Sequence, residues 1–339
     1  MGKFIIRRFF WMLLVLFVVS LITFALMHAV PGGPFSLEKA LPAQTVAQLN
    51  AKYHLDEPIT IQYLRYVTDI LVPVVLTGPQ QKSVDHEYLI NIRLPFGNNA
   101  ILHWANFGPS IKSISRTVND IFRENLPISF QLGLLALLVA VVVGVPLGII
   151  SAVKRNTLYD YAGMGVAILG VSVPIIIIAP LMQYVFGVQL RWLPLTGWGN
   201  FNQMILPALA LGFGSSALIA RLTRASVLQV LNEDYVRTAR AKGLRERRVV
   251  IVHVLKNSMI PVVTIIGPTV AYLVTGTFVV ETIFAIPGMG RFFVTSITGR
   301  DYPVIMGTIL LFAVFLVAAN TVVDIVYVWL DPRIRFSQI

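Results

Sequence analysis

The sequence predicts an all-α membrane protein with about six transmembrane helices, a long first extracytoplasmic loop and a short cytoplasmic helix. Three observations carry that expectation. Of 339 residues, 56% are hydrophobic and 13% charged, against roughly 45–50% and 25% in soluble domains. No aqueous fold has an interior for such an excess, so lipid is the expected solvent. The apolar residues fall in runs near the ~20 needed to cross a hydrocarbon core. Finally, basic residues gather at the ends of alternate runs, the mark of cytoplasmic loops.

The first span is expected at residues 9–30, which carry no formal charge and follow Lys3, Arg7 and Arg8. A secretory signal peptide is the alternative, but the run exceeds the usual h-region of about 7–15 residues. The second and third spans are expected at 128–153 and 161–188. The fourth, 206–220, is short and is expected to continue through Arg221 and Arg224, which could snorkel to headgroups. The fifth runs over 258–280 and the sixth over 303–330. Prolines 146, 174, 180, 261 and 268 lie inside these runs. Each removes a backbone donor and kinks a helix; membrane helices tolerate this, and transporters place such breaks near pathways.

With the N-terminus inside, cytoplasmic segments hold sixteen Lys and Arg, while the two short outer loops hold Arg191, Arg291 and Arg300. The long outer loop holds eight basic and eight acidic residues and counts little in the positive-inside rule. Without the fourth span, the nine basic residues from 221 to 256 would face outward, so the charge pattern favours six spans over five. Every basic cluster adjoins a span, which argues against nucleic acid as the partner. The absence of cysteine removes disulfides and thiolate chemistry.

Three segments organise the chain: 1–30, the outer loop 31–125, and a core of five helices over 126–335 with a cytoplasmic loop at 221–257. In the outer loop, residues 56–67 read as an amphipathic helix with Ile59, Tyr63, Tyr66 and Val67 on one face and Pro58 in its first turn. Residues 72–100, rich in Pro, Gly and Asn, read as irregular. His54, His86 and His103 lack metal-ligand spacing.

Residues 232–261 carry the most information. Asn232 is expected as an N-cap, with Glu233 and Asp234 in the first turn. Tyr235, Ala239 and Lys242 are expected on one face, and Gly243 stops the helix. A second basic segment, 244–256, leads into the fifth span. The stretch fits a charged loop that fixes topology, a surface for anionic lipid, or a helix that docks into a partner's groove. A capped helix ending in glycine is more organised than the first two need.

The stretch resembles the EAA loop of bacterial ABC importer permeases. Gly243 stands at the motif's glycine and Ala239 at its second alanine, Leu255 matches further on, and Arg237, Thr238, His253 and Lys256 depart. Asp234-Tyr235-Val236-Arg237-Thr238-Ala239-Arg240-Ala241-Lys242-Gly243-Leu244 is closer to the variant of B-type dipeptide and oligopeptide permeases. Other segments resemble the same branch: Arg7-Arg8, Pro31-Gly32-Gly33-Pro34, residues 53–66 with His54 where Gly is usual, Asn106-Phe107-Gly108-Pro109-Ser110, residues 281–290 (ETIFAIPGMG), and residues 320–335 with Asp324 and Tyr327. Residues 72–100 resemble an insertion.

The resemblance implies a permease that translocates di- or oligopeptides by alternating access. It pairs with a second permease, two cytoplasmic ATPases that bind ATP and Mg, and an extracytoplasmic peptide-binding protein. Asp234, Tyr235, Arg237, Thr238, Ala239, Ala241, Lys242, Gly243 and Leu244 would then form the coupling helix. No G-x-x-x-x-G-K-[ST] run is present, so no ATP hydrolysis, catalytic residue or bound cofactor is expected on this chain. A stand-alone transporter or channel is the alternative; it would line an ion path with charges, and only Asp324 and Glu281 qualify. Both are candidate pathway or gating residues, although Glu281 beside Pro287-Gly288 also suits a turn, and Asp324 also suits a pair with Arg333 or Arg335 or a place at the inner interface. His28 reads as interfacial, and Trp192, Trp198 and Trp329 as aromatic belts.

Overall fold

A computed structural model describes residues 2–35, 42–77, 84–95, 100–113, 115–274 and 278–330. Of the resembling segment 320–335, residues 331–335 lie outside the described residues, as do the side chains of Tyr327 and Trp329. Among those described, four helices are long and apolar enough to cross a bilayer, and two bent pairs bring the number to six if each is one span.

The chain divides into two compact units, residues 1–127 with 291–314, and residues 128–290 with 315–339. In the first unit, α1 (Gly2–Ala29) is followed by α2 (Ala43–Lys52) and α3 (Ile59–Leu71). Helix α1 leaves Phe10, Phe17 and Leu26 exposed, as a lipid-facing helix must. Its buried side, Phe24 and Met27, packs with Ile305 and Met306 and with Tyr63 and Tyr66 of α3. Ser20 Oγ and the Tyr63 hydroxyl oxygen lie 2.8 Å apart. The amphipathic helix therefore exists, but it starts after Pro58 and continues beyond 67. Ile59, expected on its buried face, is exposed.

The segment expected to be irregular contains strands. β1 (Val74–Leu76) and β2 (Ile90–Arg93) flank β3 (Ile101–Trp104) in an antiparallel sheet of order β1-β3-β2. Alternation in β3 buries Ile101 and His103, and His103 Nδ1 lies 2.7 Å from Asn91 Oδ1. His54 and His86 are exposed. His54 has φ +56°, a left-handed conformation that favours glycine, and it stands where the resembled branch usually has one.

The second unit is helical. α4 (Val118–Val153) starts ten residues before the expected span; its part from 128 onward lies in this unit. α5 (Leu158–Ser172) and α6 (Ile175–Gln189) replace the single expected third span and meet at 112°. Pro174 causes the break: it sits at φ −59°, ψ 143° ahead of α6, lacks the donor that would continue α5, and restricts the residue before it. α7 (Phe201–Leu231) opens with a capping box, Asn200 with Gln203. α8 (Asp234–Ala241) follows. α9 (Glu246–Ser258) contains a π-helical stretch at Val249–Val254 and meets α10 (Ile260–Val274) at 53°. Then come α11 (Phe278–Ile283) and the end of α13 (Tyr302–Leu330); α12 (Gly290–Gly299) precedes α13.

Helices α4 and α7 meet through small residues. A Cβ on Gly144 would stand 2.6 Å from the Ser216 carbonyl oxygen, and one on Gly148 would stand 2.5 Å from that of Ala220. Lipid supplies no hydrophobic drive between helices, so close backbone approach supplies packing energy instead. Arg224, expected to reach headgroups, pairs with Asp160 of α5: Nε donates to Oδ1 and Nη2 to Oδ2, both at 2.7 Å. The Asn156 N–H donates to the same carboxylate at 3.0 Å.

Candidate coupling surface

The predicted site residues gather on α8 and the turn after it, but not in the expected way. Asn232 does not cap α8; it closes α7, and its Nδ2 donates to the Leu228 carbonyl at 3.0 Å. Glu233 is the N-cap residue, because its carbonyl takes the first helical bonds, from Val236 N at 3.0 Å and Arg237 N at 3.2 Å. At the other end Gly243 has φ +75°, the left-handed conformation of a glycine after a helix. Its N–H donates to the Arg240 carbonyl at 2.9 Å.

Tyr235, Ala239 and Lys242 do not share a fate. Val236 and Ala239 are 0% and 5% exposed, and they pack with Ala152 of α4, Val227 of α7, and Val249 and Val254 of α9. Leu244 packs against the same cluster. The spacing of three between 236 and 239 puts both on the inner side of a short helix. Asp234, Tyr235, Arg237, Thr238, Ala241 and Lys242 remain exposed, as does Gly243. Ala239 is therefore an anchor and not a contact surface.

Two polar clamps add to that anchor. Arg240 Nε and Nη2 donate to Glu246 Oε2 and Oε1 at 3.1 and 2.7 Å. This holds the guanidinium even further above its ordinary range. Asn257 Nδ2 donates to the Tyr235 hydroxyl at 2.8 Å. Helix α8 is thus fixed to α9 at both ends while one polar face stays open. Sequence reasoning left out Val236, Arg240, Glu246 and Asn257. The apolar pair at 236 and 239 and the opposite charges either side of Gly243 were available signals.

Glu281 and Asp324 lie elsewhere in this unit. Glu281 is 1% exposed. Ser129 Oγ donates to its Oε1 at 2.7 Å, and Gly290 N–H donates to its Oε2 at 2.7 Å. Ser129 Oγ also accepts from Met289 N–H at 2.7 Å. Any side chain at Gly288 would collide with this group, since a Cβ would stand 2.4 Å from the Glu281 carboxyl carbon. A buried carboxylate is tolerated only when so bonded, and here it fixes the turn from Ile286 to Gly290. Asp324 is half-buried on α13.

Residues 144–336 match the family model of the binding-protein-dependent transport system inner membrane component, and residues 1–83 match the N-terminal model of such components. The dipeptide transport system permease protein DppB of Bacillus subtilis is 41% identical over 338 residues, covering 100% of this chain and 99% of that one. The oligopeptide transport system permease protein OppB of Salmonella typhimurium is 39% identical over 338 residues, covering 99% and 100%. A solved inward-facing structure of the MetNI methionine ABC transporter superposes with a TM-score of 0.51 at 18% identity, over 62% of this chain and 96% of that one, a likeness of fold alone. A multi-pass helical chain with relatives of this identity over its whole length belongs to the binding-protein-dependent transport system inner membrane components, a family of membrane permeases and not of enzymes.

Proposed function

We propose that this chain is a permease subunit of an ATP-driven ABC importer that passes di- or oligopeptides across the bacterial inner membrane. The peptide substrate is supported by the names of relatives about 40% identical over its full length. Both termini and the 221–257 loop face the cytoplasm, a reading that the distribution of Lys and Arg supports. Its partners are a second permease, two ATPases that hold ATP and Mg, and an extracytoplasmic peptide-binding protein. The core over 126–335 carries translocation, and the outer loop 31–125 faces the binding protein.

The single observation that carries this reading is the half-buried state of α8. Val236 and Ala239 lock it to three helices of its own unit, while Asp234, Arg237, Thr238, Ala241 and Lys242 stay open to a partner. A helix clamped on one side and open on the other transmits a push. Alternating access by rigid-body rocking needs such an element. Glu281 shapes the turn that it bonds. Asp324, an ionisable group within a span, is the remaining pathway residue, because such groups are costly there.

The test is co-purification and peptide uptake in proteoliposomes containing all the proposed subunits. Arg237→Glu with Thr238→Arg should abolish ATPase capture and ATP-driven uptake of a labelled tripeptide while leaving the permease folded. Uptake without ATP by the purified chain alone would instead establish a stand-alone transporter, with Asp324→Asn the next variant to measure.

A further inference from the structure

The first unit contains a cavity of about 190 Å³, for which neither the spans nor α8 accounts. Its floor is apolar, with Phe24, Met27 and Met306 buried. His28 belongs to the wall, its ring 4.2 Å from that of Phe24 and 5.2 Å from that of Tyr302 between centroids. The rim carries both signs of charge, Arg65 and Asp69, exposed one turn apart on α3.

Two polar groups of the wall are under-used. The Tyr66 hydroxyl is buried with no hydrogen-bond partner among the described residues, although such groups usually have one. The Tyr302 hydroxyl reaches the Met27 carbonyl only at 3.5 Å, the outer limit of a hydrogen bond. At the rim, partial burial holds the Asp69 carboxyl above its ordinary range against the opposing pull of Arg65 and His54. Arg65 gives Nη2 to Glu57 at 2.7 Å, and a guanidinium has four further N–H groups.

We propose that this cavity binds an apolar α-amino acid, free or as the end residue of a peptide. Its side chain lies on Phe24, Met27 and Met306, and its charged groups lie on the Arg65 and Asp69 rim. Size limits the occupant, because a cavity of about 150 Å³ takes up benzene and this one takes a single side chain of that class. Charge limits it further: an ammonium pairs with the Asp69 carboxylate at the rim, and a carboxylate meets the remaining Arg65 donors. The Tyr66 and Tyr302 hydroxyls accept or donate to whichever end arrives. An apolar floor with a few convergent polar groups is the usual make-up of a small-molecule site.

The experiment is equilibrium binding of labelled L-phenylalanine to the assembled transporter in lipid nanodiscs without ATP, so its outcome is independent of the coupling proposed for α8. Competitors are L-phenylalanyl-glycine, glycyl-L-phenylalanine and uncharged N-acetyl-L-phenylalanine amide. Saturable binding is expected. Asp69→Asn should weaken it about tenfold, the worth of one charged hydrogen bond, and the isosteric Tyr66→Phe should weaken it less. The uncharged amide should fail to compete. Stronger competition by a dipeptide than by phenylalanine identifies the end residue of a peptide as the occupant; the reverse order identifies the free amino acid. Absence of saturable binding, binding that neither variant alters, or equal competition by the amide each overturns the proposal and leaves the cavity to water.

Discussion

Arg240 and Glu246 close the turn behind α8 with two parallel hydrogen bonds, at 3.1 and 2.7 Å, across a glycine that no other residue replaces without strain. The pair is partly exposed on both sides, so its worth to stability is small, at most about 1 kcal/mol. If α8 couples as proposed, the pair matters more to transport, because it fixes the angle between α8 and α9. Arg240→Ala should therefore leave the melting temperature of the detergent-solubilised complex nearly unchanged while lowering peptide uptake per ATP hydrolysed. Equal loss of stability and coupling would show that the clamp serves folding alone.

Gly243 is expected to tolerate substitution by conformation and not by size. A Cβ there meets nothing within 4 Å, so only φ +75° resists it. Residues that enter the left-handed region cost least, and others roughly 1–2 kcal/mol. Transport rates should fall in the order glycine, asparagine, alanine, valine, measured at equal amounts of membrane-inserted protein.

Glu281 and Ser129 are expected to act as one unit. Glu281→Ala removes the acceptor of both Ser129 Oγ and Gly290 N–H, and a hydrogen bond to a charged group is worth about 1.5–3 kcal/mol. Glu281→Gln keeps an acceptor on one side and should be milder. The double variant Glu281→Ala, Ser129→Ala should cost less than the sum of the singles, as coupled neighbours do. Thermal unfolding in detergent reads all three.

Asp160 and Arg224 should show the asymmetry of an ion pair with one buried member, since Asp160 is 3% exposed and Arg224 27%. Removal of the arginine strands the buried carboxylate, and breaking a buried pair typically costs about 3–5 kcal/mol. Arg224→Met alone should sharply reduce the yield of folded protein, and Asp160→Asn alone should reduce it less. Asp160→Asn with Arg224→Met should recover much of it, measured by size-exclusion profile and melting temperature. If the double variant is as poor as Arg224→Met alone, the pair does more than neutralise itself.

Gly148 is expected to be the least forgiving position in the α4–α7 contact. Its missing Cβ would face the Ala220 backbone at 2.5 Å, which cannot rotate away as a side chain would. Gly148→Leu should prevent folding, while Gly165→Leu, with open space around it, should not. Yield of monodisperse protein separates them.

The spans were legible because lipid demands long apolar runs, and residues 128–153 and 303–330 could scarcely be anything else. The break at Pro174 was legible as a kink, but its angle was not, since proline removes a donor without dictating where the next helix goes. Strands β1 and β2 escaped notice because three or four residues among Pro, Gly and Asn are too short for a period to appear. At the candidate site, Gly243 and the exposed residues of α8 were readable from motif and spacing. The inward turn of Ala239 was not, because it depends on Ala152, Val227 and Val249, residues distant in sequence. The cavity beside Tyr66 depends likewise on α1, α3 and residues 302–306 coming together.

The seam of Gly144 and Gly148 against Ser216 and Ala220 has a mechanical meaning. Long side chains between helices behave as springs, since rotamers can absorb a displacement before backbones respond. At Gly144 and Gly148 the nearest neighbours are backbone carbonyl oxygens, with only the β-branched Ile219 and Thr223, stiff at χ1, beside them. Under the coupling proposed for α8, a load on its open face would pass through Val236 and Ala239 to Ala152 and Val227, and α4 and α7 would then tilt together as one plate.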